Sequence, residues 1–281
     1  MPRWDGFDSS ASTRRNETVP YPAMPFAQCA LCLQDRDLQD SHLMPRALYK
    51  YLRDTADANP NPLVVTATKE FQTSKQVSDY LLCAECEDRF NKGGEKWVIE
   101  ACWQSETAFP LQQALQGATP LFTSGPDFTA YAGSDIPSIQ IDKLAYFAAS
   151  VLWRAGVNPW RGYGTAPTRL TLGPYQEDLR RYLVGSTAFP THVVLIVTVA
   201  STLETRRNSL IVFPWRGDRG AYHKYAFVIP GVTFQLCVGN CIPAHVRACC
   251  AVGSPQNFLF ISRAREEDVF QQMGHLLAKT V

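Results

Sequence analysis

The chain has 281 residues, a formal net charge of +1 and 19% charged residues. That length is ample for a hydrophobic core and short for three domains, and the near-zero charge excludes a global basic field, so phosphate binding would need a local patch. The opening residues are polar and proline-bearing, without an apolar stretch of signal-peptide length, and no apolar run reaches membrane-spanning length; nine cysteines without a leader favour thiols and thiolate ligands over disulfides, and a cytoplasmic location is expected.

Residues 1–27 read as a flexible tail. Ser9, Ser10, Ser12, Arg14, Arg15, Pro20, Pro22 and Pro25 bury little apolar surface. Residues 28–104 carry two C-x2-C pairs, Cys29 with Cys32 and Cys83 with Cys86. Two such pairs can close one tetrahedral site, so a structural Zn2+ on these four thiolates is expected. Between the pairs lies Ser41-His42-Leu43-Met44-Pro45. A short helical pattern follows over 46–53, with Leu48, Tyr51 and Leu52 as its apolar residues. Asn59-Pro60-Asn61-Pro62 reads as a turn and Leu63 to Thr68 as a β-branched strand. Glu87 to Glu100 reads as a helix, open to interruption at Gly93-Gly94.

Residues 105–137 are rich in Pro, Gly, Ser and Thr and read as a connecting segment. Residues 138–281 read as an α+β accessory domain. Its helices are Ile141–Gly156, with Leu144, Phe147, Ala148, Val151 and Leu152 on one face, then Tyr175–Leu183 and a terminal Glu266–Leu277. Its strands are His192–Ala200, Ser209–Trp215, Tyr225–Ile229, Thr233–Val238 and Asn257–Ile261, a mainly antiparallel sheet. The fold class expected overall is α+β.

The run Cys29-x2-Cys32, Ser41-His42-Leu43-Met44-Pro45, Leu81-Leu82-Cys83-x2-Cys86 resembles the zinc-stapled HNH endonucleases, whose core is the treble-clef, ββα-metal (His-Me finger) module. The resemblance covers about 28–97, a quarter of the chain. It implies hydrolysis of phosphodiester bonds in DNA, with RNA as a second substrate class, in a bacterial defence or mobile-element setting. It implies His42 as general base, a task imidazole suits near neutral pH. It also implies a second divalent ion, Mg2+ or Mn2+, on the scissile phosphate. Ser41 stands where many members carry an acidic metal ligand, and Asp40 on a strand would face away from it. Glu87 is therefore the first choice of ligand for that ion and Asn91, one helical turn on, the second. The family's middle asparagine has only Asn59 and Asn61 as weak candidates. Arg46 and Lys50 follow the catalytic turn and would meet phosphate. The alternative is a non-catalytic zinc-binding module that binds nucleic acid or a protein partner. As an accessory domain, residues 138–281 would position substrate, dock a partner or form a homodimer.

Two further groups invite weighing. Cys237, Cys241, His245, Cys249 and Cys250 offer metal-ligand types at regular spacing, but Pro243 breaks a single helix through them and free cysteine is commonly buried. Trp153-Arg154, Trp160-Arg161 and Arg169 mix aromatic and basic residues, as base-stacking surfaces do. The plainer expectation is core tryptophans beside surface arginines.

Overall fold

A computed structural model describes residues 24–52, 61, 63–65, 70–105, 107–123, 128–162, 167–201, 210–217 and 220–262. Most of the tail, Asn59 and the terminal helix expected at Glu266–Leu277 lie outside these residues. Strand β1 (Phe26–Gln28) pairs antiparallel with β2 (Asp35–His42), Gln28 standing opposite Asp35. The chain between them is a knuckle that carries the first cysteine pair. Leu33 turns it with a left-handed φ of 61°, and the Leu33 N–H donates to the Cys29 carbonyl at 2.9 Å.

Residues Arg46–Leu52 are helical as expected but wound as a 3-10 helix. Residues three apart eclipse in that form, so Arg46 and Lys50 do not share a face as they would on an α-helix. Strands β3 (Leu63–Val65) and β4 (Glu70–Gln72) make a separate antiparallel ribbon. Strand β5 (Ser78–Cys83) returns along β2, completing a three-stranded sheet ordered β1-β2-β5. The β2–β5 register slips between Gln39 and Asp40; such bulges bend a strand and re-aim the side chains that follow. Here those are Ser41 and His42.

β5 runs without a loop into α1 (Ala84–Phe90), with Cys83 at its N-cap. Gly93-Gly94 does not interrupt the helix. The chain widens into a π-helical turn, Asn91–Glu95, and continues as α2 (Lys96–Ala101). The glycines have a packing reason. A Cβ on Gly94 would stand 2.6 Å from the Lys143 carbonyl oxygen, and one on Gly93 would overlap the Tyr146 ring. Only bare backbone fits against the helix that crosses here.

From residues 105–137 come α3 (Pro110–Gln116), β6 (Phe122–Thr123) and β7 (Phe128–Ala132). Next is the crossing helix itself, α4 (Ile141–Val157), and then α5 (Tyr175–Leu183). Strands β8 (Val193–Ala200), β9 (Val212–Arg216), β10 (His223–Ile229) and β11 (Val232–Val238) follow. A short helix α6 (Ala244–Ala248) and strand β12 (Phe258–Ser262) come last. Seven strands form one sheet ordered β6-β7-β12-β8-β11-β10-β9. Every neighbouring pair is antiparallel except β12–β8. β8, the apolar run Val-Val-Leu-Ile-Val-Thr-Val-Ala, is buried at every position, as a central strand covered on both faces must be.

The helix α4 joins the layers. Its sequence shows one strong apolar face, yet from Leu144 to Gly156 every residue except Tyr146 is buried. It has two neighbours. Tyr146 and Trp153 meet the α1 ring of Phe90 edge-on, each at 6.0 Å. Phe147 meets Phe227 of β10 and Phe234 of β11 at 6.0 and 5.4 Å. Burying Phe90 and Phe147, both fully covered, contributes about 2 kcal/mol each. One continuous core thus runs from the cysteine knuckle through α4 into the sheet. The architecture is mixed α+β with antiparallel-rich sheets, and among the described residues no helix is long and apolar enough to cross a membrane.

Candidate metal centre and the histidine beside it

The β1–β2 knuckle presents Cys29 and Cys32, and the junction of β5 with α1 presents Cys83 and Cys86. Pairing of β2 with β5 brings the two together. All four Sγ atoms lie within 4.8 Å of one another, and Cys32 and Cys83 are 3.9 Å apart, sulfur to sulfur. A tetrahedron of thiolates at the usual zinc–sulfur bond length of about 2.3 Å has edges of about 3.8 Å, so the set fits a metal ion such as zinc. Cys29, Cys83 and Cys86 are buried and Cys32 is half-buried. The Cys83 N–H donates to the Cys29 sulfur at 3.3 Å, the kind of outer contact that orients a thiolate ligand. A hydrogen bond from Cys86, helped by knuckle amides, pulls the Cys29 thiol down to about 4. The same bond, with burial, pushes Cys86 up. Four sulfurs packed this closely cannot all ionise without a cation among them.

Beyond the bulge, the last residues of β2 separate by face. Ser41 is fully buried and turned towards α1. Its hydroxyl donates to the Glu87 carboxylate and accepts the Leu82 N–H at 3.1 Å. His42, half-buried, points the other way, on the side of Asp40. Burial lowers the imidazole pKa, Asp40 opposes that, and Arg46 and Arg154 add to it. The balance favours the neutral ring. The peptide group that follows it is pinned on both sides, its His42 carbonyl by Arg154 Nη1 at 2.8 Å and its Leu43 N–H by the Val77 carbonyl at 2.9 Å.

Ser41, not His42, is the β2 residue bonded to Glu87. Arg154, Glu95 and Cys29 are charges acting on Glu87, and burial is what chiefly raises its carboxyl pKa. Asn91, one turn on and the first residue of the π turn, is exposed. Glu95, on the same helix, is the acid that turns inward beside Glu87. Arg46 and Lys50 are exposed, and the Lys50 ammonium sits 4.5 Å over the Tyr51 ring.

The residue that sequence reading misplaces is Arg154. Expected as a surface charge beside a core tryptophan, it is 1% exposed. Its guanidinium pairs with Glu95 at 2.5 Å, lies over the Phe90 ring at 5.2 Å and bonds Ser150 as well as His42. The reason is α4, which is covered on two sides and leaves no solvent for an arginine at this position. Trp153 and Trp160 are core residues as expected, fully buried, while Arg161 and Arg169 are exposed.

The second cysteine group does not converge. Cys237 is in β11, Cys241 is exposed, Cys249 donates to the His245 carbonyl at 3.3 Å, and Cys250 sulfur accepts the Leu195 N–H. Among the described residues, Cys29, Cys32, Cys83 and Cys86 form the single group of this kind. No protein-family model, no curated protein and no solved structure matches the chain.

Proposed function

We propose that the protein is a zinc-stapled, metal-dependent endonuclease of the HNH type, hydrolysing phosphodiester bonds in DNA. The observation that carries the reading is His42. It is a half-buried imidazole at the end of a strand, its neutral form favoured by burial, on a strand–strand–helix frame whose ends are fastened by four convergent cysteines. A neutral imidazole held by its backbone can take a proton from water as that water attacks phosphorus. Glu87 reaches across from α1 to Ser41, so a helix-borne carboxylate stands next to the position where the resembling enzymes carry a strand-borne one. Mg2+ binds through one or two carboxylates together with substrate phosphate, and Glu87, with Asn91 exposed one helical turn on, would supply the protein's share. That ion would neutralise charge on the scissile phosphate. Arg46 and Lys50, exposed after the catalytic turn, would meet neighbouring phosphates.

The test is nicking of supercoiled plasmid with Mg2+ or Mn2+. Nicking stopped by EDTA and absent from His42→Ala, with four-cysteine zinc content unchanged, is the expected result. Full activity in that variant removes His42 from the reaction. The rate should rise with pH through an apparent pKa below the ordinary histidine value of about 6.5, because the base works only when neutral and burial favours that form.

One observation favours a non-catalytic zinc module as the second reading: the Glu87 carboxylate already has Ser41 as donor and Arg154 as counter-charge. DNA binding without metal-dependent nicking in the same assay would select it.

A further inference from the structure

The Arg154 guanidinium comes from α4, outside the cysteine-stapled segment, yet ends inside it. Its bonds span 112 residues to His42 and 59 residues to Glu95. It also lies near enough to Glu87 for its charge to act on that carboxylate. The position is tightly defined. Ser150 accepts from the guanidinium through backbone and hydroxyl, Phe90 lies beneath it, and the Arg154 carbonyl accepts from Trp160 Nε1 at 2.7 Å. A planar fork with several fixed donors can hold two acceptors at a set angle; an ammonium cannot. A salt bridge this deeply buried is a poor source of net stability, since desolvating both charges offsets their attraction.

We propose that Arg154 is a positioning residue for His42. By fixing the carbonyl at the end of β2 against Glu95 of the π turn, it sets where the imidazole projects. The reactive site is then completed in cis by the C-terminal half of the chain. The inference rests on the nuclease reading for its catalytic consequence, but its structural content does not.

Two variants test it on the full-length zinc-loaded protein. Arg154→Lys keeps a positive charge beside Glu95 and loses the fork. Arg154→Met combined with Glu95→Gln removes both charges of the pair, and Glu87 keeps Ser41 as its donor. Zinc content and thermal midpoint monitor folding. Plasmid nicking gives kcat and KM, and the histidine ring resonances, assigned through His42→Ala, report on the imidazole itself. Asp40 on β2, Arg46 on the 3-10 helix and Arg154 are the charges acting on that ring, and only the last changes.

The expected result is a fall in kcat of about 100-fold, the scale of a 1 Å misplacement, with KM changed less than about twofold and a displaced His42 resonance. Lysine should not rescue it. Wild-type kcat in Arg154→Lys, or in the double variant, overturns the inference. Absence of nicking by the wild-type protein instead refutes the nuclease reading. Arg154 is then judged on the resonance alone: displacement in Arg154→Lys supports the clamp, and an unmoved signal overturns it.

Discussion

Ser41 illustrates how much one hydroxyl can hold. It is fully buried, accepts from Leu82 on the neighbouring strand and donates to Glu87 on the helix, so it joins strand, strand and helix at a single oxygen. Ser41→Ala leaves a buried N–H and a half-buried carboxylate without that partner. The expected loss is about 1–3 kcal/mol, seen as a lower urea midpoint at unchanged slope. His42 next to it sets a sign. Its folded pKa lies below the unfolded value, so on acidification the unfolded chain takes up the proton first. Stability from this group is intact above about pH 6.5 and falls as pH drops from there towards the folded pKa.

At the level of elements, legibility depended on whether the signal was local. The cysteine pairs are readable because each needs only its own spacing. Tyr175–Leu183 is readable because a polar face alternates with Leu179 and Leu183. Arg154 is not readable, because Glu95 and His42, which hold its guanidinium, come from distant parts of the chain and nothing near it distinguishes a buried arginine from an exposed one. The five residues of β7 were equally hidden: Phe-Thr-Ala-Tyr-Ala has no strict alternation, and its pairing partner β12 lies near the other end. Gly93-Gly94 was readable as an anomaly but not as to kind. Two glycines in a helical pattern suggest a break, and the structure uses them for close approach by α4. That difference is testable. Gly94→Ala should gain up to about 1 kcal/mol in helix propensity, yet lose about 1–3 kcal/mol or more by overpacking, because the atoms it would strike are α4 backbone. A net fall in thermal midpoint is expected; a rise would mean that the helices can part.

For the whole molecule, the shared core decides how a metal held by the four cysteines would be coupled to the fold. Phe90 of α1, Trp153 of α4 and Phe147 facing the sheet are successive members of one apolar cluster. Stripping metal from the four cysteines, or Cys83→Ser, should therefore do more than loosen the knuckle, since binding and folding of such sites are linked. The expected outcome is one cooperative thermal transition, shifted down as a whole, with far-ultraviolet and tryptophan signals moving together. Two transitions, the upper one unmoved by chelator, would show that the sheet stands without the metal centre.

The place of β12 has a consequence for how the chain is made. It is the last described strand along the sequence, yet it lies between β7 and β8. Until it emerges from the ribosome, β6 and β7 have nothing to attach to, and the apolar flank of β8 waits unpaired. Native pairing must then close long loops, which slows folding and leaves an open strand edge during synthesis. The order of translation, rather than the strength of any contact, makes the β7–β12–β8 side of this sheet the late event in its formation.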